Sequence, residues 1–370
     1  MIPIYKPYIT KQNLEYAHQA LDSGWISSQG EYLDLTKDEL KKIGYNNHKI
    51  ILTNNGTAAT HLMAVALKYK YPHITKIIVP NNVYVAAWNA FLYSKDHTLI
   101  AIDSNIDNWN FDINAIEPLV DEQTAILVVH NIGNVVNVPE LKNRFPKTVI
   151  LEDNCEGFLG TYDNQPTGSS GFCSAISFFG NKTLTSGEGG AFVTSDPDTF
   201  LHINKIKNQG QSDQRFLHHD LGYNYRMTNI EAAILYGQLK DIDYIIKAKQ
   251  NIFKHYKDIL QDIPNIRFQK IENNTTHSYW MLGVRIKNLN KQDKKKLELH
   301  MYESGVDTRP MFYSIKEHKY LSSIKCISDT NSKILQDQCI ILPSYPTLRK
   351  NQIEYICDKL YSFLRSNNNV

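Results

Sequence analysis

The chain has 370 residues, 42% of them hydrophobic, which is enough for one large α/β domain and a smaller one, each with its own core. Lys and Arg total 40 against 38 Asp and Glu, a formal charge of +2 with no basic run, which speaks against nucleic acid as a partner. The five cysteines are scattered without a C-x-x-C pair, which argues against a disulfide framework and a zinc site, so no metal is expected. The start, Met1-Ile2-Pro3-Ile4-Tyr5-Lys6, has no leader pattern, and no apolar stretch approaches the roughly 20 residues that span a bilayer. The expectation is a soluble, cytoplasmic protein with no membrane partner.

Short β-branched runs recur along the first half: Ile50-Ile51-Leu52, Lys76-Ile77-Ile78-Val79, Leu99-Ile100-Ala101-Ile102, Ala125-Ile126-Leu127-Val128-Val129 and Val149-Ile150-Leu151. Such runs read as strands buried on both faces. Helix candidates lie between them, from Thr57 to Tyr69 and from Asn114 to Val120. Strand and helix alternating predict a mostly parallel, doubly wound sheet. From about Thr228, apolar positions Ile230, Ile234, Leu235, Ile242, Ile245, Ile246, Ile252 and Ile259 predict one long helical stretch that leads out of the large domain. Beyond it, Ser278 to Ile286 alternates like an antiparallel strand, Lys291 to Tyr302 is a charged amphipathic helix, and Ile353 to Leu364 marks a final helix before a frayed Asn367-Asn368-Asn369 tail. The chain divides into a large domain, 1–245, and a smaller α+β domain, 246–370.

Four segments carry chemistry. Thr53-Asn54-Asn55-Gly56-Thr57-Ala58-Ala59 joins a strand to a helix with a glycine and a hydroxyl at the turn, which is either a phosphate seat or a plain N-cap. Pro80-Asn81-Asn82-Val83-Tyr84 puts an aromatic at the next strand end, a core ring or a plate stacked on a flat cofactor. In Leu151-Glu152-Asp153-Asn154-Cys155-Glu156-Gly157, a carboxylate follows a buried strand at the edge where α/β folds place ligands. Asp153 there makes a structural ion pair or an Asx-turn, or else keeps a pyridine nitrogen protonated, which preserves that ring's capacity to absorb electrons. Ser177-Phe178-Phe179-Gly180-Asn181-Lys182 and the small residues after it set a lysine at a strand end. A lone lysine so placed is usually a solvated loop residue; the other three segments give it a context.

With these motifs in this order the sequence resembles the DegT/DnrJ/StrS sugar aminotransferases, of the aspartate aminotransferase fold (type I), over nearly the whole chain. The resemblance is carried by Trp25-Ile26-Ser27-Ser28-Gln29-Gly30, the Asn55-Gly56-Thr57 turn, Glu152-Asp153, Ser177 to Lys182, Gly222-Tyr223-Asn224-Tyr225-Arg226-Met227-Thr228-Asn229, Asp307-Thr308-Arg309-Pro310 and Ile341-Leu342-Pro343-Ser344. It implies a large mixed-sheet domain that binds pyridoxal 5'-phosphate (PLP), passing through pyridoxamine 5'-phosphate, and a smaller C-terminal domain. By the same resemblance Lys182 is the Schiff-base lysine, Asp153 pairs with the pyridine nitrogen and Tyr84 covers a ring face. Glu156 lies near the phenolic oxygen, where many relatives carry Gln or His. Gly56, Thr57 and Ser177 hold the phosphate, joined by Asn224 of a neighbouring subunit, which implies a homodimer with composite sites. Trp25, Ser28 and Arg309 are the implied substrate contacts.

The likeness is greatest to members that move an amino group from L-glutamate to C4 of a GDP-linked 4-keto-6-deoxyhexose. The alternatives are a dTDP- or UDP-linked 4-keto-6-deoxyglucose as acceptor, or a catalytically silent binding protein on the same fold. Some family dehydratases have His in the lysine's place, which Lys182 argues against. Two segments depart from the family pattern, Val129-His130-Asn131-Ile132-Gly133 and Met311-Phe312-Tyr313-Ser314-Ile315-Lys316; both bear on the sugar pocket rather than on the cofactor residues.

Overall fold

The computed structural model describes residues 1–366, so the expected tail at Asn367–Asn369 lies outside the described residues. The chain opens with α1 (Lys11–Asp22) and α2 (Glu31–Leu40), then β1 (Lys49–Thr53), α3 (Gly56–Lys70), β2 (Lys76–Pro80), α4 (Ala86–Asn89), β3 (Thr98–Ile102), β4 (Thr124–Val129), α5 (Val138–Arg144) and β5 (Val149–Asp153). A two-strand ribbon, β6 (Thr161–Tyr162) and β7 (Gln165–Pro166), precedes β8 (Cys173–Ser177), β9 (Gly190–Thr194) and α6 (Pro197–Lys207). The second half contains α7 (Asn229–Lys240), α8 (Ile242–Leu260), β10 (Ile266–Arg267), β11 (Thr275–Thr276), β12 (Leu282–Ile286), α9 (Lys291–Glu303), β13 (Arg309–Pro310), β14 (Lys325–Cys326), α10 (Thr330–Gln338), β15 (Cys339–Leu342) and α11 (Lys350–Ser366).

Eight strands form one sheet in the order β1-β9-β8-β5-β4-β2-β3-β14. Its strands are apolar on both faces, and β4 is buried at every position, because helices cover both sides. Only β9 runs against its neighbours, β1 and β8. One face is covered by α3, α4 and α6, whose Leu62, Leu67, Trp88 and Ile203 are fully buried; the other carries α1, α2 and α7. Truncating Leu62 to alanine would cost about 2–5 kcal/mol. The second sheet, β10-β12-β15-β13, is antiparallel and packs under α8, α9 and α11. The core changes hands inside α8: Ile245 packs with the large domain and Ile252 with the small one.

Three expectations are corrected. The long helical stretch is two helices broken at Asp241, where the backbone leaves the α region (φ −96°, ψ 8°). There the carboxylate accepts from Thr10 (3.2 Å) and Asn13 (2.9 Å) at the start of α1, a long-range tie that no periodicity reveals. The Asn114–Val120 helix is two short 3-10 turns, Ile113–Ala115 and Glu117–Leu119. Pro118 has no N–H to continue an α-helix, and so short a segment cannot offset the cost of nucleation. Only Leu282–Ile286 of the Ser278–Ile286 run is strand; Tyr279 has a positive φ of 58°, which turns the chain before β12 begins.

Two pieces exchange between the halves. Ile2 bridges to Val306 and donates to the Gly305 carbonyl at 2.7 Å, while β14 returns to pair in parallel with β3. No helix among the described residues is long and apolar enough to cross a membrane.

Candidate active site

The strand register brings several chain segments to one edge of the large sheet. Asp153 stands opposite Val129 and Ala175, and Gly190 opposite both Thr53 and Ser177. The carboxyl ends of β1, β4, β5 and β8 therefore align, the place where open α/β sheets take ligands. A cavity of about 610 Å³ opens there, between this edge and the 309–313 segment, which begins with β13 of the second sheet.

One wall is the start of α3. Asn55 caps it, its side-chain oxygen accepting from the Ala58 N–H at 2.8 Å; the first-turn N–H groups of Gly56 and Thr57 have no intrahelical partner, and both residues line the cavity. A Cβ built on Gly56 would lie 2.6 Å from the Ser177 Cβ, so only glycine allows this approach of helix to strand. The result is a cradle of backbone donors with two hydroxyls, Thr57 and Ser177, beside it. The helix dipole favours an anion there.

The floor comes from β5. Strand alternation sends Glu152 and Asp153 to opposite faces. Glu152 is fully buried and accepts from the N–H groups of Gly168 (2.7 Å) and Ser170 (3.0 Å) and the Tyr162 hydroxyl (3.1 Å). Burial pushes its carboxyl up, but His130 and the backbone donors outweigh it and hold the group below its ordinary range. Asp153 faces the cavity with one oxygen accepting from the Cys155 N–H at 3.1 Å. Its carboxyl is raised, chiefly by burial, against the pull of Cys155 and the Lys182 charge. Glu156 accepts from the Ile132 N–H at 2.8 Å, and burial, only partly opposed by Lys182, pushes it up to about 7.

Lys182 stands on the loop after β8, whose base is tied by Phe178 N–H to the Gly189 carbonyl (2.9 Å) and by Lys182 N–H to the Phe179 carbonyl (2.8 Å). Its Nζ lies 3.9 Å from the centre of the Trp280 ring, and the Trp280 indole N–H donates to the Asn181 carbonyl at 3.0 Å. The ring thus holds both the amine and the backbone that carries it.

Gly56, Thr57, Tyr84, Asp153, Glu156, Ser177, Lys182 and Arg309 all line this cavity. Tyr84, 59% exposed, stands at the mouth with its ring 6.1 Å from that of Phe312, and Arg309 is paired there with Asp307. Trp25, Ser28 and Asn224 are not in the lining. Trp25, 57% exposed, lies in the link between α1 and α2, which is pinned to the first residue of α7: Asn229 donates to the carbonyls of Trp25 (2.8 Å) and Ser27 (2.6 Å). Gly30 has a φ of 145°, and a Cβ there would fall 2.2 Å from the Asn229 side chain. Asn224 is exposed on the loop that enters α7. Trp280 escapes sequence reasoning because its neighbours alternate like a strand; so does Cys155, a third side chain of the β5 end that reaches the cavity. Among the described residues no group of His, Cys, Asp and Glu could hold a metal ion.

The model of the DegT/DnrJ/EryC1/StrS aminotransferase family matches residues 7–361. The chain belongs to this family. Among its curated relatives, GDP-perosamine synthase of Escherichia coli O157:H7 is 34% identical over 372 residues, 98% of each chain. The enzyme of the same name from Vibrio cholerae is 30% identical over 370 residues, 98% of this chain and 99% of that one. The fold is shared with E. coli GDP-4-keto-6-deoxy-D-mannose-3-dehydratase, solved with hydrated PLP (TM-score 0.89, 22% identity, 97% and 99% covered). It is shared also with Helicobacter pylori PseC, an aminotransferase of pseudoaminic acid biosynthesis (TM-score 0.91, 20% identity, 99% of both chains).

Proposed function

We propose that the chain is a PLP-dependent aminotransferase that moves the amino group of L-glutamate to C4 of a GDP-linked 4-keto-6-deoxyhexose. The observation that carries this reading is the convergence of the Lys182 amine, the Asp153 carboxylate and the Gly56–Thr57 helix start on one cavity. Relatives at 30–34% identity named GDP-perosamine synthase, two of them spanning almost the whole chain, support the choice of sugar and nucleotide.

The residues fit the cofactor. The cradle that a Cβ on Gly56 would close suits a phosphate, and a buried carboxylate suits a protonated ring nitrogen. Bound there, PLP supplies an electron sink for the carbon that gains or loses the amine. Gly56, Thr57 and Ser177 bind the phosphate, with Asn224 of the partner subunit completing the seat in a homodimer. Asp153 keeps the proton on the pyridine nitrogen, Glu156 faces the phenolic oxygen and Tyr84 covers one face of the ring. With PLP bound, the Lys182 amine in the cavity would hold it and, when free, would serve as the base that moves a proton to or from the carbon that loses or gains the amine. Arg309, which lines the cavity, contacts the substrate; Trp25 and Ser28, outside this subunit's cavity, would reach one only where the α1–α2 link meets the partner's site.

The test is a screen of GDP-, dTDP- and UDP-linked 4-keto-6-deoxyhexoses with L-glutamate, following the amino sugar by mass. The expected result is at least tenfold preference in kcat/KM for the GDP sugar. Equal or better turnover of a dTDP or UDP sugar overturns the nucleotide assignment, and no amino sugar from any of them overturns the reaction.

A further inference from the structure

The helix whose first turn forms the phosphate cradle also carries His61. This side chain is 3% exposed, and its Nδ1 lies 3.1 Å from the Tyr225 hydroxyl. Its ring meets Tyr223 edge-on at 4.9 Å and Tyr225 at 5.9 Å, with Tyr93 closing another side at 5.2 Å. Tyr223 and Tyr225 stack on each other at 4.9 Å with their planes 10° apart. Backbone bonds fix the strand-like segment between them: Tyr223 N–H to Ile206, Tyr225 N–H to Lys207, and Gln209 N–H to Tyr223. In such a segment residues i and i+2 share a face while i+1 points the other way. With both tyrosines turned in on His61, Asn224 is turned out and exposed. Its oxygen accepts from Arg226 Nε at 2.9 Å, so the amide NH₂ is the end left to donate to an anion.

We infer that His61 is a positioning residue for the neighbouring subunit's site: by clamping Tyr223 and Tyr225 it holds Asn224 ready to donate to the partner's phosphate. This rests on the composite-site reading above. The ordering cost of that loop is met when the subunit folds rather than when the phosphate arrives, which raises affinity without a new contact. One helix then serves two sites, its own through Gly56 and Thr57 and its neighbour's through His61.

The test measures PLP affinity. In homodimers, His61→Leu should weaken PLP binding about tenfold, the worth of roughly one hydrogen bond, and Tyr225→Phe, which keeps the stack, a few-fold. Unchanged affinity in both overturns the proposal. The decisive arm isolates hybrid dimers of a His61→Leu and a Lys182→Ala subunit through two affinity tags and titrates the covalently bound PLP by its absorption. The site that keeps Lys182 receives Asn224 from the subunit with an intact His61, so wild-type affinity is expected. Affinity as weak as in the His61→Leu homodimer means that His61 acts within its own subunit, which overturns the inference. If His61→Leu does not fold, Tyr225→Phe takes its place in the same hybrid. The composite reading has a separate control, Asn224→Asp mixed with Lys182→Ala: activity should reappear in the hybrid, and its absence removes that reading independently of His61.

Discussion

Asp153 and Glu156 are three residues apart, face the same cavity and are both pushed toward the protonated form by burial. Their roles separate by what each can touch. In the proposed complex Asp153 would offer its second oxygen to the protonated ring nitrogen, so Asp153→Asn should lose on the order of 100-fold in kcat, the effect of removing a charge-assisted hydrogen bond of about 2–3 kcal/mol. Thermal unfolding should show the fold intact; unchanged turnover and cofactor affinity would make Asp153 structural. Glu156 titrates near 7 in the folded apoprotein against about 4.3 in an unfolded chain. Between those values the folded state holds a proton that the unfolded state has released, so stability falls as pH rises through this window. Glu156→Gln should therefore stabilise the apoprotein at pH 8, by about 1–3 kcal/mol, and little at pH 4; a pH-independent change in urea midpoint would contradict this. That Lys182, Asp153 and Gly56 come to one cavity was legible because glycines, hydroxyls and a strand-end carboxylate leave a pattern in the chain. Trp280 and His61 were not: each sits in a run that reads as ordinary strand or helix, and its partner is about 100 or more residues away.

The elements follow from local sequence where a run of apolar residues fills the segment's centre, as in β1 to β5, and depart from it where a single polar contact decides. Asp241 breaks the long helix because Thr10 and Asn13 occupy its carboxylate. Asp103, just past β3, reaches the first turn of α10, which has no side-chain cap of its own. Its oxygens accept from the N–H groups of Asn331 (2.9 Å) and Ser332 (2.8 Å) and the hydroxyls of Ser328 (2.8 Å) and Ser332 (2.7 Å). Burial raises the Asp103 carboxyl, but these donors outweigh it and hold it below its usual value. This stabilisation is present above the unfolded carboxyl's pKa of about 3.9 and is lost as pH falls through the lower folded value. Asp103→Ala should cost about 1–3 kcal/mol near neutrality, and its deficit against the native chain should shrink below about pH 4. Urea unfolding at pH 7 and pH 3 measures both.

At the scale of the whole molecule, alternating strands and helices were enough to expect a doubly wound sheet, since that pattern has few solutions. The antiparallel course of β9 and the exchange of Ile2 and β14 were not legible, because they depend on pairings between residues far apart in sequence. We propose the division into 1–245 and 246–370 with those two exchanges as its lock. Expressed separately, neither fragment should fold, the first lacking β14 and the second the Ile2 bridge; a well-dispersed NMR spectrum from either would contradict the interlock. Amination of C4 through Lys182 can be read by NMR, following ¹⁵N from labelled L-glutamate into GDP-4-keto-6-deoxymannose. The native chain should yield ¹⁵N bonded to C4, and Lys182→Ala none. Label at C3, a 3-deoxy product without nitrogen, or undiminished transfer by Lys182→Ala would contradict it.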